Sequence, residues 1–254
     1  MLLVVDVGNT QTHFGAFRGT ELIEHWRFAT VRESTSDELG AKLRNLLELR
    51  GLHAEEMEAS IVSSTVPQLA EEWRRMSIRY LRHEMLVVRP GIRTGMALRY
   101  DNPREIGADR LVNAVAAYER FQGACVVVDF GTAITYDPVS ADGEYLGGII
   151  SPGVEISLDA LTSRAAALPR IELIAPRQLI GKSTVEGIRS GVIYGFAGGV
   201  DAILNRLMDE LGQDIHRIAT GGLARRIVPH CQTIDEVDDL LTLTGLRLLH
   251  QHNS

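Results

Sequence analysis

The apolar positions of this chain fall into two kinds of run. Short, nearly continuous runs, "LLVV" at 2–5, "SIVS" at 60–63 and "CVVV" at 125–128, are too short for helices and read as buried strands. Other stretches place apolar residues three or four apart. The segment 36–50 carries Leu39, Leu43, Leu46 and Leu47 before a stop at Gly51, and 107–121 carries Leu111, Val112, Val115 and Tyr118. Ser183, Thr184, Val185 and Glu186 have the spacing of a capping box, which predicts a long helix running to Leu211. "HRIATGGLARRI" at 216–227 reads as strand, glycine turn, helix. This alternation predicts an α/β fold.

Two of the buried runs end on a carboxylate. Leu2–Val5 lead into Asp6 and then Gly8, Asn9 and Thr10; Val126–Val128 lead into Asp129, Gly131 and Thr132. The two carboxylates stand 123 residues apart, about half of the 254-residue chain. Each copy continues into a Thr-containing second strand and a hairpin signal, Arg18-Gly19 in the first and Asp142-Gly143 in the second. The repetition predicts two similar halves, 1–122 and 123–254, facing one another across a cleft.

Glycine at a strand end lets backbone N–H groups approach phosphate oxygens, and Asn9 and Thr10 add side-chain donors. Asp6 and Asp129 are then places for a hard cation or its hydration shell, which would offset the cost of burying them. One such turn alone is better explained by an Asp-Gly strand cap; two copies favour a phosphate and cation site. Gly221 and Gly222 form a third turn, for which close approach to a nucleotide and a plain strand-to-helix turn stand equal. In "YDNPREIGADR" at 100–110, Gly107 precedes a helix whose first turn holds Asp109. The helix dipole should keep that carboxylate ionised and able to accept a proton, and Arg110 could hold an anionic or hydroxylated substrate. By local pattern alone, a helix-terminal charge beside a surface Arg explains the pair slightly better.

"IGKST" at 180–184 resembles the end of a P-loop, but Pro176 stands where that motif needs glycine. Gly187, Gly191, Gly195 and Gly199 recur every four residues in the long helix, at a cost of ~3–4 kcal/mol relative to Ala. Close approach of another helix, from this chain or a symmetry mate, would compensate, and the lean is to a homodimer.

Composition narrows the partners. The net charge is −7 and no basic face clusters, so nucleic acid is not expected. No apolar run approaches the ~18 residues of a membrane span, and Asp6 ends the first run too early for a secretory signal. Cys125 and Cys231 form no CxxC pair, Cys125 reads as core, and the histidines lack zinc spacing. A reducing cytoplasm fits these features.

At "DVGNT" (6–10), "YDNPREIGADR" (100–110), "DFGTAITYD" (129–137), "GGIISPG" (147–153), "IGKST" (180–184) and "ATGGLA" (219–224) the chain resembles the type III pantothenate kinases of bacterial coenzyme A biosynthesis, nearly end to end. The resemblance implies two duplicated ribonuclease H-like halves of the actin, sugar-kinase and heat-shock ATPase superfamily, binding ATP and Mg²⁺. It implies a first phosphate loop of Asp6, Val7, Gly8, Asn9, Thr10, Gln11, Thr12 and His13, with Gly131, Thr132, Gly221 and Gly222 also on the nucleotide. Asp129 would bind a monovalent cation, K⁺ or NH₄⁺. Asp109 would be the base for the primary hydroxyl of pantothenate, in a pocket of Tyr100, Gly107, Ala108 and Arg110 that Thr184 completes near a dimer interface. The alternatives are a kinase for another small hydroxylated acid or sugar, and a regulatory, transcription-accessory relative without kinase activity.

Overall fold

The computed structural model describes residues 1–165, 168–212 and 215–254. The chain folds as two compact units: Met1–Glu119 with Leu240–Ser254, and Arg120–Asp239.

In the first unit, β1 (Leu2–Val7), β2 (Gln11–Arg18), β3 (Glu21–Ala29), β4 (Ala59–Ser64) and β5 (Leu86–Val87) form a sheet of order β3-β2-β1-β4-β5. β1 pairs antiparallel with β2 and parallel with β4. The β2–β3 hairpin turns at Gly19, whose φ of +62 favours glycine. Alternate residues of β1 serve different cores. Leu3, Val5 and Val7 pack with α1 (Ser36–Glu48) and α2 (Pro67–Met76), through Leu39, Leu43, Leu69 and Trp73. Val4 faces the other way, in a core with Ile61, Val112 and Val115 of α3 (Ala108–Phe121) and Leu243, Leu246 and Leu249 of α7 (Leu241–Asn253). A two-residue strand, β6 (Ala97–Leu98), precedes α3. Residues 240–254, counted with the second half in the sequence reading, therefore belong to the first unit, because the leucine stripe of α7 completes this core.

The second unit repeats the plan. β7 (Cys125–Phe130) pairs antiparallel with β8 (Ala133–Val139) and parallel with β11 (His216–Thr220), which carries β12 (Glu236–Val237) beyond it. Where the first unit has β3, β8 has β9 (Glu144–Tyr145) at one end and β10 (Ile149–Pro152) at the other. The β8–β9 turn holds Gly143 at φ +76, as Asp-Gly predicts. Val126, Val128 and Phe130 pack against Ile193, Ala197, Val200 and Leu204 of α5 (Thr184–Leu211), with α4 (Val154–Arg164) adding Val154 and α6 (Ala224–Ile227) adding Ala224 and Ile227. The predicted α/β fold and its duplication appear as two sheets with the same strand directions. Helix ends differ from expectation by one or two residues: α1 stops at Glu48, and α3 begins at Ala108.

Candidate active site

The alternation that sends Val4 into the α3–α7 core sends Asp6 to the same face, one pleat further on. Its register partners are His13 on β2 and Ser63 on β4. Ser63 is fully buried, and its Oγ has no hydrogen-bond partner among the described residues. Arg27 donates from Nη2 to His13 Nδ1 at 3.3 Å, which places the His13 proton on Nε2, 3.1 Å from His25 Nδ1. Val7 points into the α1–α2 core, so of the predicted phosphate loop it contributes backbone only.

The turn after β1 is closed by Gly8 N–H donating to Gln11 O at 3.0 Å, leaving Asn9, Thr10 and Gln11 exposed. It is braced from the end of β3. Thr30 Oγ1 donates to Gly8 O at 2.8 Å, Thr30 N–H donates to Thr10 O at 2.9 Å, and the Thr12 and Thr30 hydroxyls lie 2.9 Å apart. Arg32 Nη2 donates to Asn9 Oδ1 at 3.1 Å. Sequence reasoning missed Ser63, Arg27, Thr30 and Arg32, since each reaches the turn only through sheet register or a hairpin return.

In the second unit the matching turn closes in the same way, Gly131 N–H donating to Ala133 O at 3.0 Å, with Thr132 exposed. Gly153 N–H donates to Thr132 O at 3.1 Å, and a Cβ there would overlap that carbonyl, so "SPG" is pressed against the turn. Thr220 is the register partner of Asp129. Gly221 follows at φ +94, where a Cβ would overlap Asp129 Oδ1 and the Phe130 backbone; a Cβ on Gly222 meets nothing within 4 Å. The first glycine of that pair serves packing against Asp129, and the second leaves an open surface.

Asp109 sits in the first turn of α3, half-buried, and Arg110 is only 6% exposed, so it is not the surface Arg of the plainer reading. Ile106 and Leu111 are buried on either side. Burial pushes the Asp109 carboxyl above its ordinary value, opposed by the Arg110 N–H that donates to Oδ1 at 3.0 Å and by the Arg110 charge. Desolvation thus outweighs the stabilisation expected from the helix terminus. A Cβ on Gly107 would come 2.5 Å from Asp109 Oδ1, so glycine leaves room for the carboxylate. Tyr100 and Ala108 are half-buried in the same unit; Thr184 is exposed, the first residue of α5 after the Ser183 cap.

No described cluster of three or more His, Cys, Asp or Glu could cage a metal. Isolated strand-end carboxylates fit a divalent ion that keeps its waters and takes its remaining ligands from nucleotide phosphates.

The family model for type III pantothenate kinase matches residues 2–206. The chain belongs to that family. A type III pantothenate kinase of Anaeromyxobacter sp. (strain Fw109-5) is 52% identical over 253 residues, covering all of both chains, and that of Moorella thermoacetica is 49% identical over 254 residues, again covering both. Among solved structures, a Campylobacter jejuni protein of the Baf transcriptional-activator family matches with TM-score 0.58 at 18% identity, over 99% of this chain and 98% of that one. A Sinorhizobium meliloti protein described as a 2-dehydro-3-deoxygalactonokinase matches with TM-score 0.62 at 13% identity, over 99% and 96%. These two likenesses carry the actin-like ATPase and sugar-kinase fold alone. As a type III pantothenate kinase the chain is an ATP-dependent enzyme that uses a divalent metal and acts on pantothenate in coenzyme A biosynthesis.

Proposed function

We propose that the chain transfers the γ-phosphoryl group of ATP to the primary hydroxyl of pantothenate, giving 4'-phosphopantothenate, with Asp109 as the base. The observation that carries the assignment of Asp109 is its half-buried place at the start of α3, beside Gly107 and the buried Arg110. Phosphoryl transfer asks mainly for in-line positioning and neutralised charge. Asp109 orients the hydroxyl and takes its proton late in a loose transition state. Gly107, Ala108, Arg110 and Tyr100 shape the acceptor pocket. Gly8, Asn9, Thr10, Gln11, Thr12 and His13 receive phosphate oxygens, and Gly131, Thr132, Gly221 and Gly222 bind nucleotide. A divalent cation supplies charge neutralisation on the phosphates, and Asp6 would hold it through its hydration shell. Asp129 takes K⁺ or NH₄⁺.

The same reading makes the enzyme a homodimer. Gly187, Gly191, Gly195 and Gly199 of α5 are exposed, and a Cβ on any of them meets nothing within 4 Å. Eight of the twelve exposed large apolar residues among the described residues lie between Ile149 and Tyr194. A second copy seated there would place Thr184 beside its neighbour. No described helix is long and apolar enough to cross a membrane, and with the family's place in coenzyme A biosynthesis this supports the cytoplasm.

The test is ADP release with Mg²⁺ and pantothenate, in potassium and then sodium buffer. Turnover should require both pantothenate and potassium, and Asp129→Asn should remove the potassium requirement along with most activity. ADP release without pantothenate would reassign the acceptor. Silence from folded protein in both buffers would favour the regulatory reading.

A further inference from the structure

The predicted phosphate loop "DVGNTQTH" contains no Lys or Arg, yet it must face a polyanionic nucleotide with Asp6 inside it. Two guanidinium groups reach side chains of this loop from β3 and the segment after it, Arg27 on the ring of His13 and Arg32 on the amide of Asn9. The second stands at the tip of the turn. Arg32 can only donate, so its 3.1 Å contact fixes which end of the Asn9 amide it meets: the carbonyl Oδ1 turns toward Arg32. The Nδ2 end, with two N–H donors, is left to face away from the guanidinium. Arg32 is exposed and makes no ion pair with a described carboxylate, so its charge is not spent on the protein.

The contact is not a loose surface encounter, because both ends are held. Thr30, two residues before Arg32, is tied to Gly8 O, Thr10 O and the Thr12 hydroxyl. On the other side, Ser34 N–H closes a turn onto Val31 O at 3.1 Å. The segment 30–34 is thus a second wall of the turn after β1, delivered by the return of the β2–β3 hairpin.

We propose that Arg32 is a positioning residue for ATP: it orients Asn9 so that amide donors face the phosphates, and it adds a positive charge at the tip of the turn. The inference rests on the phosphate-loop reading above. Its consequence is specific to the phosphates, so ATP and adenosine should separate it from a general structural role.

Full-length Arg32→Ala, Asn9→Ala and the double variant would be titrated with ATP-Mg²⁺ and with adenosine by calorimetry, alongside KM for ATP and pantothenate. A charge-assisted hydrogen-bonding partner of this kind is expected to shift ATP affinity roughly tenfold or more. Arg32→Ala should weaken ATP by about that factor, leave adenosine binding and the KM for pantothenate unchanged, and flatten the decline of ATP affinity with added salt. Arg32→Lys should keep the salt dependence and recover part of the affinity. The double variant should lose little more than the worse single one, as expected for residues acting as a unit. Unchanged ATP affinity in Arg32→Ala, with Asn9→Ala impaired, overturns the role of Arg32. Strictly additive losses overturn its action through Asn9. Full ATP affinity in both single variants removes the loop itself from the phosphates, and the wider reading falls with it.

Discussion

Gly221 offers the sharpest test of how the second unit is built. It follows Thr220, which lies opposite Asp129 in the parallel β7–β11 pair, and it holds φ at +94. A methyl group there would overlap Asp129 Oδ1 and come 2.6 Å from Phe130 N. Backbone atoms of a central strand have no rotamer to give. Placing alanine at a strongly positive φ costs ~1–3 kcal/mol, and forcing a methyl into filled space adds ~1–3 kcal/mol. Gly221→Ala should therefore destabilise the second unit by about 2–6 kcal/mol, summing those ranges. Gly222→Ala is the control. Its Cβ meets nothing within 4 Å, and its backbone has no positive φ, so a change within about 0.5 kcal/mol is expected. Tryptophan fluorescence is the wrong assay, since Trp26 and Trp73 both lie in the first unit. Hydrogen exchange of the Val126, Val127, Val128 and Ile218 amides reports the pair directly. Protection should fall in Gly221→Ala and stay at wild-type level in Gly222→Ala. Equal protection in the two variants would refute the close-approach argument for this turn.

Asp109→Asn should lower kcat by ~10²–10⁴-fold with ATP affinity largely kept; near-normal turnover would remove Asp109 from the base role. The same variant has a stability signature. Burial raises the Asp109 pKa in the folded chain, so between the unfolded and folded values the native state holds more protons, and its stability falls as pH rises through that window. Asparagine abolishes that fall, so the variant should gain on wild type in denaturant midpoint as pH rises above the ordinary carboxylate range, about pH 4; a pH-independent difference contradicts the desolvation argument. A Cβ at Gly191 meets no atom within 4 Å in its own chain, so Gly191→Arg should leave the unit folded while sedimentation shows dissociation of the proposed dimer. An unchanged oligomer in that variant would clear α5 of the interface.

Much of the fold was legible because the duplicated strands leave a double trace. Each buried run has to end somewhere, and ending on Asp followed by glycine is costly enough to stand out twice. Helix boundaries were readable where a chemical signal marks them: Thr35 and Glu38 form a capping box on α1, and Ser183 accepts from Glu186 N–H at 3.3 Å on α5. The destination of α7 was not. Its leucine stripe shows that it covers a sheet, and nothing local to 241–253 says which sheet. Arg110 shows a similar limit in the site. An arginine in a first helical turn reads as solvent-facing, and only the folded structure shows that Arg110 is buried.

The residues around Asp6 mark where pattern reading stops. Ser63 lies 57 positions away in sequence and beside it in register; Thr30 and Arg32 reach Gly8 and Asn9 after a hairpin has carried the chain out and back. Contacts of that kind follow from pairing, which a linear reading does not contain. The glycines of α5 are the opposite case. Their cost was plain in the sequence, and two compensations were open, a helix of the same chain or of another copy. Unoccupied space at all four Cβ positions removes the first. Exposure, by itself, gives no physical reason to prefer glycine to alanine in a helix. The compensation left open is the proposed second chain, and the apolar residues from Ile149 to Tyr194 share the same unit with the glycines. If the ridge were instead idle, Gly191→Ala would stabilise the helix by about 1 kcal/mol with no loss of association, and that single variant separates the two explanations.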